Sequence, residues 1–195
     1  MIENIDELIK RIKKYTKESV SQSRYEHSLR TAETCQKFCE KYGLDGKTGY
    51  LAGIAHDMCK KLSPEKMISL AKEDGRPVSL LEEANPSLLH GRAASVLIQK
   101  KFGVNDRDVI EAIANHTFGH KGLCDLAKLL FVSDKIEPGR EHVDEKYMKS
   151  IETLTLNQLV YKVVSESKEY LLNKGKKVAP ETEEFLKELE SGRDI

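Results

Sequence analysis

The chain has 195 residues, which suits one large domain or two small ones and is enough to bury a substantial core. Lys+Arg and Asp+Glu are both 32, so the formal charge is zero. That balance speaks against a general nucleic-acid or membrane-surface binder, whose attraction rests on excess positive charge.

Almost every segment has helical period, and no stretch alternates as a strand does. A first amphipathic helix of mixed charge runs from about Asn4 to Ser19. Ser23-Arg24-Tyr25-Glu26 reads as a capping box opening a second helix that ends at Tyr42, before Gly43. His27 sits in its first turn. Asp45 caps a third helix, which carries Leu51, Ile54, Ala55 and Met58 to the pair His56-Asp57 and stops before Ser63-Pro64. A fourth helix reaches about Asp74. Residues 75–86 read as a loop with one short turn at Leu80–Ala84. A helix over Pro86–Phe102 carries His90, and Asn105 caps another that ends at Asn115-His116. The loop Thr117–Gly122 leads to the helix Leu123–Ile136, apolar nearly all round and therefore central. Pro138-Gly139-Arg140 breaks the chain. Helices over Asp144–Leu154 and Leu156–Asn173 follow, then a basic loop and a last charged helix after Ala179-Pro180. The expectation is a single all-α domain over residues 1–195. No apolar run spans a bilayer and no signal peptide is evident. Cys35, Cys39, Cys59 and Cys124 form no C-x-x-C pair, which suits a reduced, cytoplasmic protein.

Six polar residues sit oddly for a core: His27, His56, Asp57, His90, His116 and Asp134. They fall near helix ends or on apolar faces of five helices. A lone His is ordinarily a hydrogen-bonded core or surface residue, and His120 and His142 keep that reading. Asp134 follows the most apolar stretch of the chain, where an unpaired carboxylate costs several kcal/mol. A metal would remove that cost, and mixed imidazole and carboxylate donors suit iron, manganese, cobalt or zinc better than calcium.

The order His27, His56-Asp57, Asp134 resembles the H…HD…D signature of the HD-domain metal phosphohydrolases, which are helical bundles. The stretches RYEHSLRTAE (24–33), AHDMCKKL (55–62), LLHGRAAS (88–95), IANHTFG (113–119) and LLFVSDKIEPGR (129–140) are similar to the YqeK-type family, the bacterial symmetrical diadenosine tetraphosphate hydrolases. The resemblance implies a hydrolase that splits diadenosine tetraphosphate into two ADP, with iron as its metal. It implies His27, His56, Asp57 and Asp134 as metal ligands. It also implies contacts to ADP from His27, Asp57, His90, His116, Thr117, Asp134 and Arg140, and from the loop Lys176, Lys177, Val178, Ala179, Pro180, Glu181 and Thr182. The family often has His-Pro where this chain has Ala179-Pro180.

The residue types fit that chemistry. A metal binds a phosphate oxygen and lowers the pKa of a bound water. Asp57, Lys60, His90 and His116 are the catalytic candidates. His90 and His116 can bind phosphate, protonate a leaving group or complete a second metal site, with Asp57 as bridge. Arg140 offers a planar fork for phosphate. Lys60 lies one turn beyond His56 and can reach the same side. No phosphate loop of the G-x-x-x-x-G-K-[ST] type is present. The rival readings are an HD hydrolase of another nucleotide, a nucleoside monophosphate or a cyclic dinucleotide, and a nucleotide-binding regulator without turnover.

Overall fold

The computed structural model describes residues 4–191, and among them every regular element is helical. The elements are α1 (Ile5–Ser19), α2 (Gln22–Lys41), α3 (Gly46–Ala55), α4 (Pro64–Lys72), α5 (Leu80–Ala84), a 3-10 turn (Pro86–Leu89), α6 (His90–Phe102), α7 (Arg107–Asn115), α8 (Asp125–Ile136), α9 (Glu145–Ile151), α10 (Leu156–Asn173) and α11 (Pro180–Ser191). Side-chain oxygens start most of them. Asn4, Ser21, Asp45, Ser63, Ser79, Asp106, Asp144 and Thr155 each accept a first-turn N–H that the helix leaves without a partner.

Several boundaries differ from the sequence expectation. Ser21, not Ser23, caps α2 by accepting from Arg24 N–H. Asp106 rather than Asn105 caps α7, since Asn105 instead donates to the Gly103 carbonyl. The expected Pro86–Phe102 helix is split: a tight 3-10 turn precedes α6, which begins at His90. Most consequentially, α3 stops at Ala55. His56 to Leu62 continue as three-residue turns, with Met58, Lys60 and Leu62 N–H donating to the carbonyls of Ala55, Asp57 and Cys59. The tighter winding brings His56 and Asp57 out at a helix end instead of along a helix face.

One apolar core runs from Ile12 to Leu189. Its middle is α8, with Leu126, Leu129, Leu130, Val132 and Ile136 buried and α2, α3, α7 and α10 packed around it. Full burial of each such side chain stabilises by about 1.5–3 kcal/mol. Two glycines set how closely helices approach at the site. A Cβ on Gly53 would come within 2.5 Å of the Ala32 backbone, so Gly53 lets α3 lie against α2. A Cβ on Gly91 would meet the Ile113 carbonyl at 2.8 Å, so Gly91 seats α6 on α7. Alanine at Gly53 would have to push the two helices apart, and with them His27 and His56.

Candidate active site

The close approach of α2 to α3 and of α6 to α7 brings four imidazoles together. The ring centres of His27 and His56 lie 5.3 Å apart, those of His56 and His116 4.8 Å, and those of His90 and His116 4.8 Å. All four are buried.

Their orientation follows one rule. His56, His90 and His116 each direct Nδ1 at the carbonyl three residues back, of Gly53 at 2.6 Å, Ser87 at 2.7 Å and Ile113 at 2.8 Å. His27 directs Nδ1 at Glu137 Oε1, 3.1 Å away. A carbonyl or carboxylate oxygen accepts, so Nδ1 carries the proton in each ring and every Nε2 is left to point inward.

Two carboxylates meet those nitrogens. Asp134 Oδ1 lies 3.0 Å from His27 Nε2 and 3.6 Å from His56 Nε2. Asp57 Oδ2 lies 3.4 Å from His56 Nε2 and 3.8 Å from His27 Nε2, and its Oδ1 lies 3.0 Å from His90 Nε2. Yet Nε2 of His27 and of His56 are fully buried and have no hydrogen-bond partner among the described residues. Atoms that crowd together in this way without bonding one another leave a place for a cation among them. A metal with ligands at about 2.1 Å holds neighbouring ligands about 3.0–3.4 Å apart, close to the spacing found here. Donor type agrees, since imidazole and carboxylate together suit a divalent transition metal. The donor types of His27, His56, Asp57 and Asp134 therefore suit such an ion. The donors fall into two sets, His27–His56–Asp134 and His56–Asp57–His116, with His56 common to both.

Charge is arranged to match. Burial alone would lift the Asp134 carboxyl, but Lys135, His27 and His56 outweigh it and hold it well below the usual range. Burial likewise opposes the Asp57 carboxylate, and His56 and His90 outweigh it. Burial opposes charge on His56, but Asp57 and Asp134 raise its imidazole to about 9. Burial and the neighbouring His90 and His56 push His116 well below its ordinary value, so it stays neutral. His90 and His116 bring their Nε2 atoms within 2.9 Å of each other. With both Nδ1 protons directed at carbonyls, that contact needs one proton or cation between the rings.

A cavity of about 170 Å³ opens over these groups, lined by Arg24, Asp57, Lys60, His90, His116, Thr117, Asp134, Lys135 and Arg140. Lys60 Nζ sits 3.1 Å from His90 Nδ1, and burial lowers its pKa. Arg140 uses Nε and NH2 on the Asp134 carbonyl and carboxylate, at 2.5–3.0 Å, which leaves NH1 for a ligand. Thr117 Oγ1 is buried and unpartnered beside His116.

The structure brings every expected metal and catalytic residue to this one place. The late loop is only partly there. Thr182 Oγ1 donates to the Phe118 carbonyl, which docks the start of α11 beside Thr117. Ala179 is buried, whereas Lys176, Lys177, Pro180 and Glu181 are exposed; Val178 is half-buried. None of residues 176–182 lines the cavity. Cys59 stays a buried thiol, pushed up to about 12 by burial and by Asp57. His120 and His142 lie apart, against the Lys121 carbonyl and the Tyr147 ring. Sequence reasoning missed three contributors. Arg24 donates to Asp57 Oδ2 at 2.9 Å, Lys135 to Asp134 Oδ2 at 2.6 Å, and Glu137 holds His27. Arg24, three residues before His27 on one helix face, was within reach of spacing arguments.

The HD domain pattern matches residues 24–139, which hold the four metal-fitting residues and all of the cavity lining except Arg140. A Bacillus subtilis protein named bis(5'-nucleosyl)-tetraphosphatase, symmetrical, is 31% identical over 166 residues, covering 85% of this chain and 89% of that protein. A Staphylococcus aureus protein of the same name is 33% identical over 168 residues, covering 85% and 86%. A crystal structure from Clostridium acetobutylicum, described as a predicted HD superfamily hydrolase involved in NAD metabolism, superposes with a TM-score of 0.85 at 30% identity, covering 93% of this chain and 96% of that one. The chain belongs to the HD domain family, in the branch of its relatives named symmetrical bis(5'-nucleosyl)-tetraphosphatase.

Proposed function

We propose that the chain is a metal-dependent hydrolase that cleaves diadenosine tetraphosphate symmetrically into two ADP. The observation that carries this reading is the convergence of four imidazole Nε2 atoms and two buried carboxylates beneath a cavity rimmed by four cations. The names of the relatives supply the substrate. We take residues 1–195 as one catalytic domain; the continuous core among the described residues supports this. The four free cysteines are in keeping with a cytoplasmic site of action.

His27, His56, Asp57 and Asp134 would hold the metal, iron by preference, with manganese, cobalt or zinc as substitutes. The two donor sets would leave room for one ion or two. When bound, such an ion polarises a phosphate oxygen and makes a water a stronger nucleophile at neutral pH. The side chains do the rest. Arg24, Lys60, Lys135 and Arg140 draw in the polyphosphate and stabilise charge that builds on its oxygens. His90 and His116 keep a proton near their paired Nε2 atoms, in reach of a leaving phosphate oxygen. Lys60 sits against His90 and supports that proton transfer. Thr117 Oγ1 offers a donor from the cavity wall. At about 170 Å³ the cavity is smaller than the roughly 300–1,000 Å³ of a drug-sized site, so it takes phosphates and leaves nucleosides outside, toward residues 176–182.

Two phosphates in the cavity place the central phosphoanhydride at the reacting centre. Hydrolysis then yields ADP alone. In heavy-oxygen water, one ADP of each pair should carry label on its terminal phosphate. Early ATP and AMP in equal amounts would refute the register. Faster turnover of a nucleoside monophosphate or cyclic dinucleotide would refute the substrate, and tight nucleotide binding without product would leave a regulator.

A further inference from the structure

We infer that Glu137 is the positioning residue that aims His27 at the metal, with Arg30 as the clamp on Glu137; the inference rests on the metal-dependent reading above. Glu137 lies just past α8 and is 2% exposed. Its Oε1 accepts from His27 Nδ1 at 3.1 Å, and its Oε2 accepts from Arg30 Nε at 2.5 Å and from Gly139 N–H at 2.6 Å. Arg30 NH2 adds a contact to Oε1 at 3.3 Å. The turn after α8 is shaped around this pair, because a Cβ at Gly139 would run into the Arg30 guanidinium.

His27 differs here from its three neighbours. His56, His90 and His116 are oriented by carbonyls three residues back, which their own local winding supplies. For His27 the carbonyl three residues back, of Arg24, is not its Nδ1 partner. Its orientation instead depends on a carboxylate 110 residues further along the chain. A carboxylate at Nδ1 fixes the tautomer, fixes the ring plane and makes Nε2 a more basic ligand. Glu137 Oε1 also lies 3.7 Å from Arg140 Nε, beyond hydrogen-bond distance. A plain Arg30–Glu137 ion pair would stabilise the fold and leave metal affinity alone, and that difference makes the inference testable.

The experiment uses full-length protein stripped of metal and titrated with Co2+, read by visible absorption and by chelator competition. Glu137→Gln keeps the shape and an acceptor oxygen but removes the charge. The Co2+ Kd should rise about 10- to 100-fold, the usual effect of losing such an outer partner, with a shifted cobalt band. At saturating Co2+ the KM for nucleotide should stay near that of the wild type. Arg30→Met frees Glu137 without touching His27 and should move Kd the same way by less, and Arg30→Lys should recover part of the loss. If Glu137→Gln does not fold, the Arg30 pair carries the test alone. Wild-type Co2+ affinity and spectrum in folded Glu137→Gln, or in Arg30→Met, would overturn the inference and leave a structural ion pair. Failure of the wild-type protein itself to bind Co2+ would overturn the metal-dependent reading beneath it.

Discussion

Among the described residues, two regions hold donor atoms close enough to share a metal ion, and the fold treats them differently. In the buried one, among α2, α3, α6, α7 and α8, every imidazole is pinned through Nδ1 and two Nε2 atoms have no bonding partner. The other gathers Asp108, Glu111 and Cys124 near the surface. There each group has local employment. Asp108 lies in the first turn of α7, where the helix dipole favours an acid. Glu111 Oε2 accepts the Cys124 N–H at the start of α8. Burial, then Glu111, push the Cys124 thiol up to about 12. Two helix N-termini also repel a cation. Nearness of donors is common to both regions; donors oriented inward and left without partners distinguish the first.

The largest expected effect breaks the buried set. His56→Ala or Asp134→Ala should abolish Co2+ binding and lower turnover by about 10³-fold or more, since metal catalysis supplies several kcal/mol and each 1.36 kcal/mol is tenfold. Retained metal with lost turnover would remove these residues from the ligand set while keeping them in the chemistry. Next comes Arg140→Ala. Loss of a charge-assisted contact worth about 1.5–3 kcal/mol should reduce kcat/KM about 10- to 100-fold, and metal content should persist. Unchanged kinetics would make Arg140 a brace for Asp134 alone.

A pH series sharpens the contrast further. His56 in the metal-free protein is raised to about 9, so at neutral pH a metal must displace a proton from it. The Co2+ Kd should therefore weaken about tenfold per unit as pH falls below 9. The sign for stability is opposite. A raised imidazole stabilises the metal-free fold fully below its unfolded value near 6.5, and that contribution is lost as pH rises through about 9. A Co2+ affinity flat from pH 6 to 9 would contradict both. The smallest effect belongs to the surface region. Glu111→Gln should leave Co2+ affinity and turnover intact and cost at most about 1 kcal/mol, the scale of one hydrogen bond, visible in thermal melting. A clear loss of metal there would erase the distinction between the regions.

Residue types alone pointed to His27, His56-Asp57, His90, His116 and Asp134, because polar groups on apolar helices stand out against their neighbours. The helices were equally legible from their period and caps. The end of α3 was not. Leu51 to Met58 keep a helical pattern, yet the winding tightens after Ala55, and nothing in that pattern marks the change. Pro86 to Leu89 likewise carry a good helix start but turn more sharply, which delivers the Ser87 carbonyl to His90. Glu137 gave no local signal, because its contact to His27 closes across 110 residues. Lys135 reads as an ordinary charged residue at a helix end until Asp134 is seen beneath it.

The most direct measurement is an anomalous-scattering map from crystals of the full chain soaked in Co2+. The account predicts one or two peaks in the buried region, the first within about 2.0–2.3 Å of His27 Nε2, His56 Nε2 and oxygens of Asp57 and Asp134. A peak only at Asp108, Glu111 and Cys124, or an empty buried site under saturating Co2+, would contradict it.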